Sequence, residues 1–302
     1  MNVVSVTGGD SRFFLHLLIL LGSFSKYCPD RKLHICDFGL SPQQTEYLSR
    51  RAVVLPMPEE LRDVSHAWYR KGAIDLYLSG VDFDAMIWID ADCIILSDVV
   101  SELTAFARDQ DAVVVATAVF DTIAAVIAEN RQSGRETISI FEDMVKDCGL
   151  SLDLPYLSVG VFLCRSRALL AEWRERTLRV TAHPLFEQNV FNLIVHSQGI
   201  GRLVDCRTFN INGIDLNGVS RRDDGGIVNA DGQPIRVAHL SSSVDGVLDI
   251  IDLHINVGDK VLIGVLRRPT NAVLRAVEHT YIEGLASEVP YLDACGLLEA
   301  NG

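Results

Sequence analysis

Apolar and polar stretches alternate along the first half of the chain in the order strand, helix, strand, helix. Mostly apolar runs predict strands at 3–6, 33–36, 52–55, 85–89 and 111–116, and helical spacing predicts helices at about 11–26, 42–51 and 71–79. These strands are apolar along most of their length rather than on alternate residues. We therefore expect a mostly parallel sheet with helices on both faces.

The second half of the sequence has a more mixed pattern. Strands are predicted at about 159–164, 202–204 and 235–240, helices at 167–179 and 186–198, and a hairpin turn at 229–233. Apolar residues at helical spacing over 270–285 predict an amphipathic helix that packs on the core, although a partner or a membrane would also suit such a stripe. The predicted fold is α/β, with a mixed, partly antiparallel C-terminal half.

The composition excludes several classes of protein. Hydrophobic residues make up 48% of the chain and charged residues 22%, the balance of a globular protein rather than a disordered or fibrous one. With 27 Lys and Arg against 40 Asp and Glu, the net charge is −13. A field of that sign repels phosphate backbones, so we expect no nucleic-acid partner.

Cysteine usage and hydropathy bear on location. The 7 cysteines form no Cys-x-x-Cys pair, and several lie in apolar runs, which is typical of small buried hydrophobes in a reducing compartment and not of a zinc site. The longest apolar run, 13–21, contains His16 and is too short to span a bilayer, and no basic segment precedes it. We expect a cytoplasmic protein without a transmembrane segment, in which any membrane contact is peripheral, at the inner face.

The most informative segment is the Asp-x-Asp triplet at Asp90 and Asp92. Two other such triplets, at 82–84 and 109–111, lie in polar connections, where a solvated loop explains them. Asp90 and Asp92 instead follow a buried apolar strand, and ligands of open α/β sheets bind beyond the carboxyl ends of strands. Two carboxylates this close repel each other unless a cation or a proton lies between them, so a divalent metal is the natural occupant. A strand-end turn with Asp as its cap is the alternative.

This segment resembles the metal-binding motif of GT-A fold glycosyltransferases, in particular the glycogenin and bacterial lipopolysaccharide galactosyltransferase group. Six further segments resemble that family in order: the nucleoside-binding strand and loop (4–10), the end of the second strand (35–41), the basic position before the motif (68–71), the small-residue strand under the sugar (157–162), the helix start near donor and acceptor (186–192), and a late strand with a metal-ligating His (237–240). The combination is more specific than any one piece.

The resemblance implies roles for individual residues. It implies that Asp90, Asp92 and His239 bind Mn²⁺ or Mg²⁺, with Asp92 in direct contact, although His239 taken alone would more often be a core histidine. The implied donor-binding residues are Thr7, Gly8, Asp37, Lys71, Asp90, Ala91 and Gly160. The implied catalytic residues are Glu187, a general base or a charge stabiliser near the anomeric carbon, and Gln188, a hydrogen-bonding partner of the sugar. Glu187 at a helix start also suits the helix dipole alone. The other histidines gain no partner from spacing.

The implied activity is that of a metal-dependent hexosyltransferase. It would move a hexose from a nucleotide sugar, most readily UDP-linked, to a carbohydrate, lipid-linked or protein acceptor. Residues 1–302 are expected to form one GT-A type domain, with 1–118 binding the nucleotide sugar, 119–262 forming the acceptor and catalytic half, and 263–302 a closing helix.

Two departures from the family pattern stand out. Glu187 and Asn189 replace the usual Asp pair, and the residues after His239 lack the usual Gly-x-x-Lys-Pro-Trp. Without that Lys, neutralisation of the diphosphate would fall to Lys71, Arg12 or Arg70.

Two other functions remain open on the sequence. A non-catalytic protein of this fold could bind a nucleotide sugar or a glycan, since fold does not fix function. A sugar-1-phosphate nucleotidyltransferase is the second, but its Gly-rich phosphate loop is poorly matched at 8–12, where Asp10 places an anion beside the phosphates.

Overall fold

The structure is a computed structural model, and it describes residues 1–242, 245–257 and 260–300. The chain divides into two compact units. The first unit consists of Met1–Val4, Met57–Trp88 and Ser101–Cys206, and the second unit contains the other described residues. Each unit is therefore assembled from stretches that are separated in sequence.

The elements follow the α/β order expected from the hydrophobic pattern. The strands are β1 (Val3–Gly9), β2 (Leu33–Asp37), β3 (Val53–Leu55), β4 (Ala85–Ile89), β5 (Cys93–Ile95), β6 (Val114–Phe120), β7 (Tyr156–Cys164), β8 (Gly201–Val204), β9 (Ser220–Arg221), β10 (Ile227–Val228), β11 (Val237–His239), β12 (Leu248–Val257), β13 (Lys260–Pro269) and β14 (Glu299–Ala300). The α-helices are α1 (Phe14–Tyr27), α2 (Pro42–Leu48), α3 (Ala67–Gly72), α4 (Ile74–Tyr77), α5 (Val99–Asp109), α6 (Ile123–Gln132), α7 (Ser139–Asp147), α8 (Arg167–Thr177), α9 (Phe186–Gln198), α10 (Cys206–Phe209), α11 (Ala272–Gly284) and α12 (Val289–Ala294). Short 3₁₀ turns lie at Ser11–Phe13, Glu59–Leu61, Glu136–Ile138, Gly213–Gly218 and Leu285–Glu288.

A large, mostly parallel sheet carries the fold, as the sequence predicts. In the second unit its strands have the order β3-β2-β1, and in the first unit the order β4-β7-β6-β8. In the second unit β1, β2 and β3 pair in parallel, with Ser5 opposite Leu33 and His34 opposite Val53. In the first unit β6 pairs in parallel with β8 and antiparallel with β7.

Local chemistry explains where the elements begin and what they bury. Helix α2 starts with Pro42 after a capping box, in which Ser41 and Gln44 each bind the other's backbone amide. Helix α1 buries ten residues, because it is apolar on nearly every face. In the first unit, β7 is buried along its entire length, and a core cluster joins α6 and α7 to it through Tyr156.

The structure differs from the prediction in several elements. The single helix predicted over 71–79 is the pair α3 and α4, which meet at Ala73, where the backbone leaves the helical region (φ −106°, ψ 31°). The strand predicted at 111–116 begins later, at Val114, and helices α6 and α7 were not predicted. The amphipathic helix is confirmed as α11, and the turn at 229–233 is confirmed by the Asn229 amide, which donates to the Gln233 carbonyl at 3.0 Å.

The largest unpredicted element is the antiparallel pair β12–β13 in the second unit. Its register runs from Leu248 opposite Pro269 to Val257 opposite Lys260. The segment 263–302, expected to be a closing helix, therefore begins as a strand, because 260–269 pairs along its whole length with β12.

The thiols and helices bear on the predicted location. All seven cysteines are free; five are buried as predicted, whereas Cys148 is exposed and Cys206 is half-buried. Every helix in the described residues is too short or too polar to cross a bilayer.

Candidate functional site

The Asp-x-Asp segment lies where a buried strand ends. Strand β4 finishes at Ile89, and the Cys93 amide donates to the Asp90 carbonyl at 3.1 Å, closing a turn that leads into β5. Strand β11 pairs antiparallel with β5, which sets His239 opposite Cys93, and the Leu240 amide donates to the Asp92 carbonyl at 2.8 Å. Strand register therefore brings His239 to Asp90 and Asp92 inside the second unit.

The three side chains form a compact group. One ligand atom from each of Asp90, Asp92 and His239 lies within 4.8 Å of the others. The Nε2 atom of His239 is 3.2 Å from Oδ1 of Asp92 and 3.7 Å from Oδ2 of Asp90. Asp92 and His239 are buried and Asp90 is half-buried, so Asp90 is the most exposed of the three.

A neighbouring amide fixes the orientation of the imidazole. Nδ1 of His239 is 3.0 Å from Oδ1 of Asn210, a fully buried residue. An amide oxygen only accepts hydrogen bonds, so Nδ1 carries a proton, and Nε2 is the ring nitrogen that faces the carboxylates. Supporting hydrogen bonds of this kind are typical of histidine that ligates a metal.

The charge balance around Asp92 favours the ionised carboxylate. Burial alone would raise the pKa of Asp92, but His239, followed by His16 and Arg267, holds that pKa well below its usual range. Nη1 of Arg267 is 3.0 Å from Oδ2 of Asp92. Asp92 thus keeps its negative charge at neutral pH, the form that a metal requires.

Arg267 and His16 are site residues that sequence reasoning missed. The backbone amide of Arg267, on β13, donates to Nε2 of His16, on α1, at 3.1 Å. Burial lowers the pKa of His16 to about 4, so the imidazole is neutral and can accept this bond. The guanidinium of Arg267 also lies 5.8 Å from the centre of the Phe13 ring.

The remaining candidate residues of the second unit lie at the ends of β1 and β2. Thr7 is fully buried and Gly8 pairs with Cys36 in the sheet. A Cβ on Gly8 would approach the Phe38 ring to 2.6 Å, so a larger residue there would require that ring to move. Oδ1 of Asp37 accepts from the amides of Gly39 at 2.8 Å and Leu40 at 2.7 Å, and thereby shapes the turn after β2.

The candidate residues of the first unit lie on α3, β7 and α9. Nζ of the buried Lys71 is 5.5 Å from the ring centre of Trp88. Oε1 of Gln188 accepts from the Val159 amide at 3.2 Å, which anchors Gln188 on β7 beside Gly160. Glu187 is buried in the first turn of α9, and its carbonyl accepts from Nε1 of Trp173 at 2.7 Å. Ala91, in the second unit, is buried and follows Asp90 and precedes Asp92 in the sequence.

The chemistry of the Asp90, Asp92 and His239 group suits a divalent cation. Two carboxylates and one imidazole are hard or borderline donors, which favour Mn²⁺ or Mg²⁺ over a metal that prefers thiolate. Their separations leave room for one ion, and Nε2 of His239 faces both carboxylates. The residues present therefore fit the metal that the sequence resemblance implies.

Comparisons with known proteins relate this architecture to solved enzymes. No protein-family model matches the chain, and the search of curated proteins found no match. Among solved structures, galactosyltransferase LgtC in complex with donor and acceptor sugar analogues is similar over 78% of this chain and 86% of that chain, with 16% identity and a TM-score of 0.50.

The bifunctional glycosyltransferase WbbM in its apo form is similar over 79% of this chain, with 13% identity and a TM-score of 0.52. That alignment spans 45% of WbbM, so the chain corresponds to less than half of the longer protein. Identities this low relate the chain to these proteins by fold alone. The chain therefore has the fold of these glycosyltransferases, the GT-A fold that its sequence resemblance implies.

Proposed function

We propose that this protein is a metal-dependent glycosyltransferase that moves a hexose from a nucleotide sugar, UDP-linked in our proposal, to an acceptor. The observation that carries the proposal is the group formed by Asp90, Asp92 and His239, set at the end of a buried strand in a GT-A type fold. Breaking a sugar–phosphate bond leaves a nucleoside diphosphate with growing negative charge. A site for such a reaction needs positive charge fixed where that negative charge develops.

The residues of the second unit supply that environment. Asp90, Asp92 and His239 would hold the metal, Mn²⁺ or Mg²⁺, which when bound supplies Lewis-acid stabilisation of the diphosphate. Arg267 adds a permanent positive charge beside Asp92, and its 41% exposed side chain can reach a ligand. Arg12, a sequence candidate for this role, is instead bound by Oδ2 of Asp10 through both Nε and Nη2.

The proposed catalytic residues of the first unit are Glu187 and Gln188. Glu187 would bind or orient the reacting sugar as a base or as a charge stabiliser, and burial in the first turn of α9 fixes its backbone. Oε1 of Gln188 accepts from the Val159 amide of β7, and in this proposal the side chain forms a hydrogen bond with the sugar. The donor site would be completed by Thr7, Gly8, Asp37, Lys71, Ala91 and Gly160.

We further propose a cytoplasmic location, which the seven free thiols support.

The donor site can be tested by thermal unfolding with UDP, GDP or CMP, each with and without Mn²⁺. A ligand at one hundred times its Kd stabilises the native state by about 2.7 kcal/mol, which is several degrees for a protein of this size. We expect UDP to raise the Tm only when Mn²⁺ is present. Asp92→Asn should abolish the shift, whereas Asp109→Asn, from an exposed Asp-x-Asp triplet, should retain it.

Turnover separates the enzyme from a binding protein. The wild type with Mn²⁺ and a UDP-hexose should release UDP, slowly to water and faster once an acceptor is found. Formation of UTP from UDP-hexose and pyrophosphate would indicate a nucleotidyltransferase instead. If no nucleotide changes the Tm with any metal, the proposed donor site is wrong.

A further inference from the structure

The first unit contains an aromatic cleft that no part of the donor site uses. Its volume is about 440 Å³, and it is lined by residues that include His66, Trp68, Arg135, His183, Leu185 and Phe186. That volume is in the range of small-molecule sites and is ample for one or two sugar rings.

Aromatic rings form one wall of the cleft. The ring centre of the buried Phe186 lies 5.7 Å from that of Trp68, 5.6 Å from that of His66 and 4.3 Å from that of Tyr69. Trp68 is 37% exposed, whereas the other two tryptophans, Trp88 and Trp173, are buried. An exposed indole that is held by ring contacts is a rigid apolar platform, onto which the C–H face of a pyranose can stack.

His183 supplies a hydrogen-bond acceptor in the same lining. Its Nδ1 is 2.7 Å from the Thr181 carbonyl, so Nδ1 carries the proton and Nε2 is an acceptor. Only 5% of the residue is exposed, and Nε2, which has almost no accessible surface, has no hydrogen-bond partner in the described part of the chain. Burial lowers the pKa of His183, which keeps the ring neutral. A buried acceptor without a partner is costly unless a ligand supplies the donor, and a hydroxyl group does so.

The sequence connects this cleft to the proposed catalytic residue. Leu185 adopts the left-handed conformation with φ of 59°, and the chain then turns directly into α9 at Phe186 and Glu187. The cleft wall and Glu187 are thus consecutive residues of one helix start. Arg135 adds a guanidinium to the lining, which suits oxygen atoms of a ligand, whether neutral or anionic.

We infer that the aromatic cleft binds a pyranose ring of a carbohydrate acceptor. The ring stacks on Trp68, and a small displacement of the cleft lining lets one hydroxyl group donate to Nε2 of His183. This inference rests on the proposed function, and it narrows the acceptor to a carbohydrate or a carbohydrate-bearing molecule. It names Trp68 and His183 as acceptor-binding residues.

Tryptophan fluorescence tests the inference directly. Because Trp68 is the exposed indole of the three, acrylamide quenching reports mainly on the cleft. The probes are methyl β-D-galactopyranoside, methyl β-D-glucopyranoside and methyl β-D-glucuronide, at concentrations up to about 100 mM. We expect at least one of them to protect Trp68 and to lower the quenching constant by about half. If only the glucuronide binds and Arg135→Gln abolishes its binding, the site selects an acidic sugar.

Variants distinguish sugar binding in the cleft from nonspecific contact of sugars with exposed aromatic residues. His183→Asn keeps a donor for the Thr181 carbonyl but removes the Nε2 acceptor, and we expect it to weaken sugar binding about tenfold. Trp68→Leu, followed by saturation-transfer NMR, should show a similar loss. Tyr291→Leu, which alters an exposed aromatic residue of the second unit, should leave sugar binding unchanged.

The results distinguish this inference from the proposed function. If none of the three sugars protects Trp68, and Trp68→Leu leaves the NMR signals of the sugars unchanged, the cleft is not a sugar site. If that result accompanies Mn²⁺-dependent UDP binding and hydrolysis of UDP-hexose, the proposed function stands without it. Protection of Trp68 in a protein that binds no nucleotide would support the cleft and overturn the transferase. Trp68→Leu should also slow transfer to a sugar while hydrolysis of the donor continues.

Discussion

Arg267 donates a hydrogen bond from Nη1 to Oδ2 of Asp92 across 3.0 Å, although the two residues are 175 positions apart in the sequence. The other carboxylate oxygen of Asp92 faces Nε2 of His239 at 3.2 Å. Asp92 therefore lies between a candidate metal ligand, His239, on one side and a permanent cation, Arg267, on the other. A metal that binds Asp92 gains a carboxylate that is already ionised, but it also approaches a guanidinium of like charge.

We predict that Arg267→Gln changes metal and nucleotide affinity in opposite directions. Without the guanidinium, Mn²⁺ alone should bind about fivefold more tightly, because a repulsive charge near Asp92 has been removed. UDP in the presence of Mn²⁺ should bind about tenfold more weakly, because the diphosphate loses a charge-assisted hydrogen bond. Isothermal titration with Mn²⁺, and then with UDP at saturating Mn²⁺, measures both quantities.

Arg275→Gln is the matched control for this experiment. Arg275 lies in the same unit and pairs at 3.5 Å with the exposed Asp249 rather than with Asp92. Both affinities should stay at the wild-type values. If Arg267→Gln weakens Mn²⁺ and UDP binding equally, Arg267 supports the structure of the site and does not contact the diphosphate.

The position of Arg267 shows where sequence reasoning reached its limit. Asp90 and Asp92 could be found because they directly follow an apolar strand. Their position in the sequence alone places them at the carboxyl end of that strand. Arg267 depends on the pairing of β12 with β13 and on the bond from its amide to His16, neither of which a local pattern encodes. The two β-branched stretches on either side of Gly258-Asp259 were the available signal for a hairpin.

The predicted boundary at residue 118, between a nucleotide-sugar half and an acceptor half, does not coincide with the boundary between the two compact units. The segment Ile89–Val100 belongs to the same compact unit as residues from 207 onward, so His239 meets Asp92 inside one unit. Such long-range pairing follows from strand register, not from composition. By contrast, α9 was predicted with the bounds Phe186–Gln198, because its apolar residues have helical spacing and Gly199, with φ of 65°, ends it.

Asn210 should control the metal affinity through His239. We predict that Asn210→Ala weakens Mn²⁺ binding by about 10- to 100-fold, because His239 loses the acceptor that fixes its tautomer and its ring orientation. Asn210→Asp keeps an acceptor at the same position and should restore most of the affinity. Titration of Mn²⁺ into the nucleotide-free protein, followed by electron paramagnetic resonance, measures the change. Equal loss in both variants would indicate that the buried amide is needed for folding and not for orientation of the imidazole.

Glu187 should affect transfer and leave donor binding intact. We predict that Glu187→Gln lowers the rate of sugar transfer by about 100-fold, because the substitution removes the negative charge but keeps the shape of the side chain. The Tm shift produced by UDP with Mn²⁺ should equal that of the wild type. Glu175→Gln, on the exposed face of α8 in the same unit, is the control and should transfer at the wild-type rate. A Glu187→Gln enzyme with full activity would remove this residue from the proposed mechanism.

The buried carboxyl group of Glu278, which pairs with Arg268, makes the free energy of unfolding depend on pH. Glu278, on α11, is completely buried, and Nε of Arg268 is 3.2 Å and 3.1 Å from its two carboxylate oxygens. Burial raises the pKa of Glu278 above its ordinary value of 4.5, although Arg268 opposes the shift. At pH values between the pKa of Glu278 in the unfolded chain and its higher pKa in the native state, the native state binds more protons than the unfolded state. The contribution of Glu278 to stability therefore falls as the pH rises through this window.

Removing Arg268 should extend that window to higher pH. We predict that Arg268→Ala costs about 3 to 5 kcal/mol at pH 8, where the unfolded chain ionises Glu278 freely but the native state buries an unpaired charge. At pH 5 the loss should be clearly smaller, because the native state can keep Glu278 protonated. Urea unfolding at the two pH values measures the difference.

Adding Glu278→Gln to Arg268→Ala should abolish the pH dependence of this loss. Arg176→Ala, which breaks an exposed pair with Glu172, should cost less than about 1 kcal/mol at both pH values. An equal loss at pH 5 and pH 8 in Arg268→Ala would mean that the cost comes from lost packing of the arginine side chain and not from the unpaired charge of Glu278.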